Sequence, residues 1–317
     1  MNLNFIPYPQ YRIMAEKDAS EPIVTDFINR KEFVILSGAA KTGKSYFAIN
    51  LAISIASGKR FLNFDTVKGK VFYLQTEISS DSLKERIDPV LATVSPQNEE
   101  SKQNIFICDE RIRIDKEEDR IKLKSTLETE RPCLLILDPF YTLHNLKEDS
   151  SNDMAPILTF LKHLASDSNC AILLIHHQGK RNEANANVGH GHRGSSSFAD
   201  VPDSSLCLFR KSKGLSLHAE FRNRRPIEPL HICTDENQVY VSIVEDKTLV
   251  DRRSVLIERL KSVPGHRERA AHLRYHFVSK TDLTPASFNK YAQELVASGR
   301  ILLEGEGKDT FYKLVDE

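Results

Sequence analysis

The sequence predicts an α/β fold with a mostly parallel central sheet, followed by a small helical module that ends in a hairpin. Three observations carry that reading. Short apolar runs recur between helix-patterned segments from residue 32 to about 245, a glycine-rich turn separates the first run from the first helix, and the character of the chain changes at 246–252. Parallel strands read as continuous apolar runs because helices cover both faces of such a sheet.

Taken in order, residues 1–30 read as an irregular lead-in with a short amphipathic stretch at 23–28. The runs at 33–36, 71–74, 105–108, 134–137, 171–175 and 204–209 are the expected parallel strands. Those at 216–221, 231–233 and 239–244 are separated by turns and predict an antiparallel edge. Residues 31–246 thus form one domain and 251–317 a second. In the second, Val255, Leu256 and Leu260 have helical spacing, and a further stretch covers 267–277. Pro285 suits the first position of another helix and Gly299 its end. The runs 300–304 and 310–314 flank the turn 305–309 as a hairpin. Three helices and a terminal hairpin predict a winged helix-turn-helix domain.

Composition narrows the class. The 317 residues exceed one typical domain, and 40% hydrophobic with 28% charged content describes an ordinary globular chain. Lys and Arg number 44 and Asp and Glu 44, which argues against a surface coated in nucleic acid but leaves room for a local basic lining. No apolar run reaches about 18 residues, so no membrane span or membrane partner is expected. The N-terminus lacks the pattern of a signal peptide. Cys108, Cys133, Cys170, Cys207 and Cys233 are scattered without a C-x-x-C pair, as expected of reduced thiols in a cytoplasmic protein.

Gly38, Ala39, Ala40, Lys41, Thr42, Gly43, Lys44 and Ser45 spell G-x-x-x-x-G-K-S between an apolar run and a helix-forming segment that starts at Tyr46. A strand that delivers the chain to such a turn lets backbone N–H groups wrap a phosphate, while the helix aims its positive end at the same anion. Residues 38–46 are therefore the expected ATP site. Lys44 reaches the β- and γ-phosphates, and the Ser45 hydroxyl holds Mg²⁺. The run 133–137 ends in Asp138, a carboxylate placed to share the Mg²⁺ shell with Ser45. The run 71–76 ends in Glu77, placed to polarise the attacking water. The run 171–175 leaves the sheet through His176, His177, Gln178, Gly179 and Lys180, where His177 or Gln178 reads as a sensor of the γ-phosphate. The segment 178–197 sets Lys180, Arg181 and Arg193 against Glu183 alone and is rich in Gly, Asn and Ser. It predicts a loop that contacts a nucleic-acid backbone.

Together these pieces resemble the RecA-like ATPases, and among them the RepA-type group of hexameric replicative helicases. The resemblance covers about residues 20–245. It rests on GAAKTGKS, on Gly69 through Glu77, on Leu135, Ile136, Leu137, Asp138 and Pro139, on HHQGK, and on Arg193 through Ser197 leading to Asp200. It implies a Mg²⁺-dependent AAA ATPase that forms a homo-oligomeric, six-membered ring on single-stranded DNA, with hydrolysis between subunits. It also implies cations supplied in trans, for which Arg224 and then Arg222 in Phe221-Arg222-Asn223-Arg224-Arg225 hold the matching place. Two other functions compete: a recombination or repair ATPase that does not unwind DNA, and an ATP-gated DNA-binding regulator that uses the winged helix.

The C-terminal module leaves its partner open. Residues 251–317 carry 12 Lys and Arg against 10 Asp and Glu. Its third helix offers Ser287, Asn289, Lys290, Gln293 and Glu294, while the wing carries Glu304, Glu306 and Asp309, which repel phosphates. DNA contact and protein contact are both compatible with that pattern.

Overall fold

In the first unit, α1 (Tyr8–Lys17) leads into a short hairpin, β1 (Pro22–Val24) and β2 (Ile28–Asn29), and then into β3 (Phe33–Ala39). There follow α2 (Lys44–Ser57), β4 (Val71–Gln75), α3 (Ser80–Val94), β5 (Ile105–Cys108), α4 (Glu117–Glu130), β6 (Leu134–Asp138), α5 (Ser151–Asp167) and β7 (Ala171–Gln178). After α6 (Ser197–Asp200) come β8 (Ser204–Arg210), β9 (Leu215–Phe221), β10 (Leu230–Thr234) and β11 (Val241–Ile243). The computed structural model describes residues 5–95, 102–178, 195–211, 214–234, 241–243, 252–281, 285–305 and 307–315. The chain divides into two units, Met1–Ile243 and Val244–Glu317.

The strands of the first unit form one sheet in the order β11-β10-β9-β8-β3-β7-β6-β4-β5. From β8 to β5 every pair is parallel, and β9, β10 and β11 add an antiparallel edge. Alternation along the central strands splits the core in two. Val34, Leu36, Leu134, Ile136, Leu173 and Ile175 face α2 and α3, whereas Phe33, Ile35, Leu135, Leu137, Ile172 and Leu174 pack on the face lined by α5. Each of these side chains is buried, a contribution of about 1.5–3 kcal/mol apiece.

Local chemistry sets the helix ends. Gly43 (φ 91°) and Gly58 (φ 63°) take the left-handed conformation on either side of α2. The Ser79 hydroxyl accepts from Ser82 N at the start of α3, and Ser150 does the same for Asp153 N at the start of α5. The N-terminal stretch departs from expectation. It is not irregular: α1 precedes a hairpin whose Ile23, Val24, Phe27 and Ile28 are buried against the α2 face. Too few residues separate Ile23 from Ile28 for a helical stripe, and the positive φ of Asp26 (59°) closes the turn between two strands. Among the described residues, no helix is long and apolar enough to cross a membrane.

The second unit contains α7 (Arg252–Ser262), β12 (Arg267–Arg269), α8 (Ala270–Thr281), α9 (Pro285–Ala297), β13 (Ile301–Glu304) and β14 (Phe311–Leu314). Its antiparallel sheet runs β12-β14-β13, so the hairpin gains a third strand from the start of the stretch read at 267–277. Leu256, Leu260, Leu273, Phe277, Phe288, Leu295 and Ile301 form its core. On the hairpin, Glu304 pairs with Arg267 at 2.8 Å and Asp309 with Arg269 at 3.3 Å. Two of the carboxylates expected to repel phosphates are thus partly neutralised, and Glu306 lies outside the described residues.

Candidate active site

The glycine-rich turn leaves the C-terminal end of β3 in the middle of the sheet, where β7 and β8 flank it. A Cβ on Gly38 would stand 2.7 Å from the carbonyl oxygen of Leu208, so only glycine lets the turn pass β8 this closely. The Thr42 hydroxyl donates to Ala39 O at 2.9 Å and pins the loop. The first helical bond of α2 runs from Phe47 N to Gly43 O, which leaves the N–H groups of Lys44, Ser45 and Tyr46 without a helical acceptor. These residues line a cavity of about 690 Å³ with Ala40, Lys41, Thr42 and Gly43. That volume suits a nucleotide.

Lys44 is only 4% exposed. Its ammonium donates to Gly38 O and Ala39 O, both at 2.9 Å, so the loop's own carbonyls satisfy it. Burial drives its pKa down to about 8 against the opposing pull of Asp138 and Glu77. Asp138, the last residue of β6, is 1% exposed and accepts from the Tyr73 hydroxyl at 2.6 Å. Burial raises its pKa although hydrogen bonds from Tyr73 and Ser45 favour the anion. A hydroxyl and a carboxylate already in contact are the hard oxygen donors Mg²⁺ takes beside substrate phosphates. The residues present therefore fit that ion.

Glu77 follows β4, and its carboxylate faces the same cavity. The turn that presents it is built by Gln75, whose Oε1 accepts from Glu77 N at 2.7 Å and Ile78 N at 3.0 Å. The Tyr141 hydroxyl donates to Glu77 Oε1 at 2.9 Å. His177 stands opposite Gly38 in the β3–β7 register and also lines the cavity. Burial, and then the charge of Lys44, hold its pKa below the usual imidazole range, which leaves the ring neutral near pH 7. Its Nε2 is buried without a hydrogen-bond partner among the described residues. Gln178 ends β7 opposite Ala39.

The structure thus gathers Lys44, Ser45, Glu77 and His177 around one cavity, with Asp138 buried beside Ser45. It does not bring Arg222 and Arg224 there. Both follow β9, and Arg222 donates to Asp200 O and Pro202 O, whereas Arg224 pairs with Glu32. Lys180, Arg181 and Arg193 lie outside the described residues. Sequence reasoning missed Tyr73, Gln75 and Tyr141, together with Arg86 and Arg210, which also line the cavity or its loop. Arg210 donates to Lys41 O at 2.6 Å, and the Arg86 guanidinium sits 5.5 Å over the Tyr46 ring. Tyr73 and Gln75 carried a readable signal, since both fall on the face of β4 that Asp138 shares. Nothing local in the sequence marks the other three.

A model of the AAA domain family matches residues 4–183, more than half of the chain. Among solved structures, a KaiC-like protein from the hyperthermophilic archaeon Pyrococcus horikoshii is 13% identical at a TM-score of 0.48, over 70% of this chain and 93% of that one. A DnaB-like replicative helicase, solved in a study of its interactions with primase, is 14% identical at a TM-score of 0.53. That alignment takes in 74% of this chain and 65% of the helicase, so the chain spans about two thirds of it. At such identity the likeness is one of fold.

Proposed function

The chain belongs to the AAA domain family, and from that premise we propose that this P-loop ATPase is a RepA-type, ring-forming DNA helicase that hydrolyses ATP between subunits. The observation that carries the reading is a carboxylate, Glu77, and a neutral imidazole, His177, lining the cavity that also holds Lys44. A simple phosphate-binding pocket needs neither.

In this mechanism the phosphate loop and Lys44 hold the β- and γ-phosphates, and the Lys44 ammonium exchanges its two loop carbonyls for phosphate oxygens. Mg²⁺ held at Ser45 and Asp138 would neutralise phosphate charge. Glu77, oriented by Gln75 and Tyr141, accepts the proton of a water whose oxygen attacks the γ-phosphorus. The bond to the β–γ bridging oxygen breaks, and ADP leaves. His177 donates to the γ-phosphate and registers its departure. Arg224 and Arg222 serve the site of a neighbouring subunit, and Lys180, Arg181 and Arg193 serve single-stranded DNA.

The three helices and three strands of the second unit support a winged helix there. Leu302 and Leu303 are 51% and 52% exposed on its hairpin, which favours protein contact over DNA. The test is ATP turnover with and without single-stranded DNA, alongside mass in solution and Glu77→Gln. DNA-stimulated turnover in a ring-sized assembly, lost by about 10²-fold or more in Glu77→Gln, is expected. Slow, unstimulated turnover in a monomer would refute the motor.

A further inference from the structure

Consecutive residues of a strand face opposite sides of a sheet, and β7 ends in two consecutive histidines. His177 shares the α2 face with Lys44 and looks into the cavity. His176 shares the opposite face with Phe140 and Phe198 and is 1% exposed. Its ring stacks on Phe198 at 4.2 Å with an interplanar angle of 18°, and its Nε2 lies 3.3 Å from Glu148 Oε2.

The other oxygen of Glu148 is 3.6 Å from Nε2 of His144, whose ring lies 4.3 Å from that of Phe140. Leu146 N donates to His144 Nδ1 at 3.2 Å, so the ring proton of His144 belongs on Nε2, facing the carboxylate. One carboxylate therefore lies between two imidazoles, hydrogen-bonded to His176 and within ion-pair range of His144. Burial opposes its charge, yet His144 and His176 hold its pKa down at about 2. The main chain of the same residue ties a third segment, since Glu148 O accepts from Ser195 N at 2.9 Å. Ser195 Oγ in turn bonds Ser151 Oγ at 2.7 Å.

We propose that Glu148 is a positioning residue for His177: by holding His176 behind the sheet, with His144 at its other oxygen, it sets where the next imidazole of β7 stands over the phosphate site. The proposal rests on the hydrolytic reading above for its consequence but not for its geometry. A shift of His176 is transmitted to His177 through one peptide of a pleated strand, whereas the aromatic packing of Phe140 and Phe198 leaves His176 no second seat. Lys44, Glu77 and Tyr141 face His177 from the other elements around it, and the Glu148 charge also reaches that ring directly through space, raising its pKa, so the positioning is read where neither ring is titrating.

Glu148→Gln tests this because an amide removes the charge between the two imidazoles and can present only one oxygen, so its NH₂ end meets one of the two rings. The readout is the imidazole resonances of ring-labelled histidine over a pH titration, with the melting temperature as the check on folding. The His176 and His177 resonances are both expected to move, also at the acid and basic ends of the titration where the protonation state is fixed, and kcat for ATP to fall about tenfold with nucleotide affinity changed less than about twofold. His177 resonances that titrate as in the wild type while His176 moves would overturn the proposal, as would an unchanged kcat in the folded variant. If Glu148→Gln does not fold, His144→Gln, which removes one of the two imidazoles beside Glu148 and keeps the His176 contact, is expected to shift His177 in the same sense and by less. No shift would overturn the proposal. If the wild-type protein itself fails to hydrolyse ATP, the functional reading falls and the resonances still decide the positioning.

Discussion

Arg224 donates to Glu32 at 2.7 Å at the end of the sheet away from the phosphate loop. The registers fix that placement: Phe221 pairs with Ser204 and Ser204 with Val34, near the start of β3, while the loop leaves its far end. The guanidinium also lies 4.7 Å over Phe221, and its Nε and Nη1 are buried without a hydrogen-bond partner among the described residues. Glu32 and the Ser204 hydroxyl thus hold one edge of the fork within this subunit's own fold. The residue stands away from its own phosphate loop, and in the trans role proposed above its guanidinium leaves Glu32 for a neighbour's phosphate.

Arg224→Ala is expected to lower kcat by about a thousandfold or more while nucleotide binding persists. Lys44→Ala is expected to abolish both. Mixing the two variants separates a trans role from a structural one. A Lys44→Ala subunit still offers Arg224 to a partner that retains Lys44, so mixed assemblies should regain activity that neither variant has alone. Failure of the mixture to exceed both parents, with assembly verified by mass, would reject the trans role.

Lys44 gives the site a pH dependence whose sign follows from its burial. Its folded pKa of about 8 lies below the free value of 10.5, so in the nucleotide-free protein the charged form is disfavoured. Bound phosphate restores the charge, and binding above pH 8 must take up a proton. Affinity for ATP should be flat below pH 8 and fall about tenfold per pH unit above it, with proton uptake visible by calorimetry in buffers of different ionisation heat. Between pH 8 and 10.5 the unfolded chain binds the proton that the folded chain has released. Stability of the nucleotide-free protein should therefore rise through that window. A pH-independent affinity would place the Lys44 charge outside the binding step.

Much of the sheet was legible because its strands are buried on both faces, and burial writes itself as runs such as Leu134 to Leu137. The residues at the ends of those runs stood out as candidates for the same reason: a polar side chain such as Asp138 breaks the pattern at the close of an apolar strand. The hairpin at Ile23 to Ile28 was legible only as an amphipathic stretch because so short a run fits either period. Tyr141 and Arg86 escaped because they reach the cavity from a loop and a helix whose approach is set by tertiary packing alone. Glu148 escaped for a different reason. Its partners, His144 and His176, come together only once β7 and the segment after β6 share a face of the core.

Gly38 offers a steric test of the loop. Its missing Cβ would meet Leu208 O at 2.7 Å and Thr42 Oγ1 at 3.0 Å. The carbonyl belongs to the β3–β8 ladder and cannot retreat without breaking it. Gly38→Ala should push the loop off β8, lower stability by about 1–3 kcal/mol in urea unfolding and weaken nucleotide binding more than tenfold. Gly265, whose added Cβ would meet nothing within 4 Å but whose φ is +66°, supplies a control at which alanine strains the backbone and leaves binding intact.

Asp138 and Tyr73 should respond to substitution with opposite signs. Asp138 keeps a raised pKa in the folded protein because burial outweighs the hydrogen bonds it accepts. An acid whose folded pKa exceeds its unfolded value binds a proton in the folded state that the unfolded chain has already lost. Its ionisation therefore subtracts from stability as pH rises past 3.8, and in full above the folded pKa. Asp138→Asn removes that charge while its carbonyl can still accept from Tyr73, so the nucleotide-free protein should gain stability at neutral pH, a gain that shrinks as pH falls towards 3.8. Mg²⁺-dependent hydrolysis should be lost in the same variant. Tyr73→Phe does the reverse: it leaves the charge in place and takes away its 2.6 Å donor, which should cost about 1–3 kcal/mol. Thermal unfolding of both variants across pH, without nucleotide, measures the two effects. If Asp138→Asn destabilised the nucleotide-free protein at neutral pH, the carboxylate would be a structural anchor, and the cost of burying it would not be what the site sets aside for the metal.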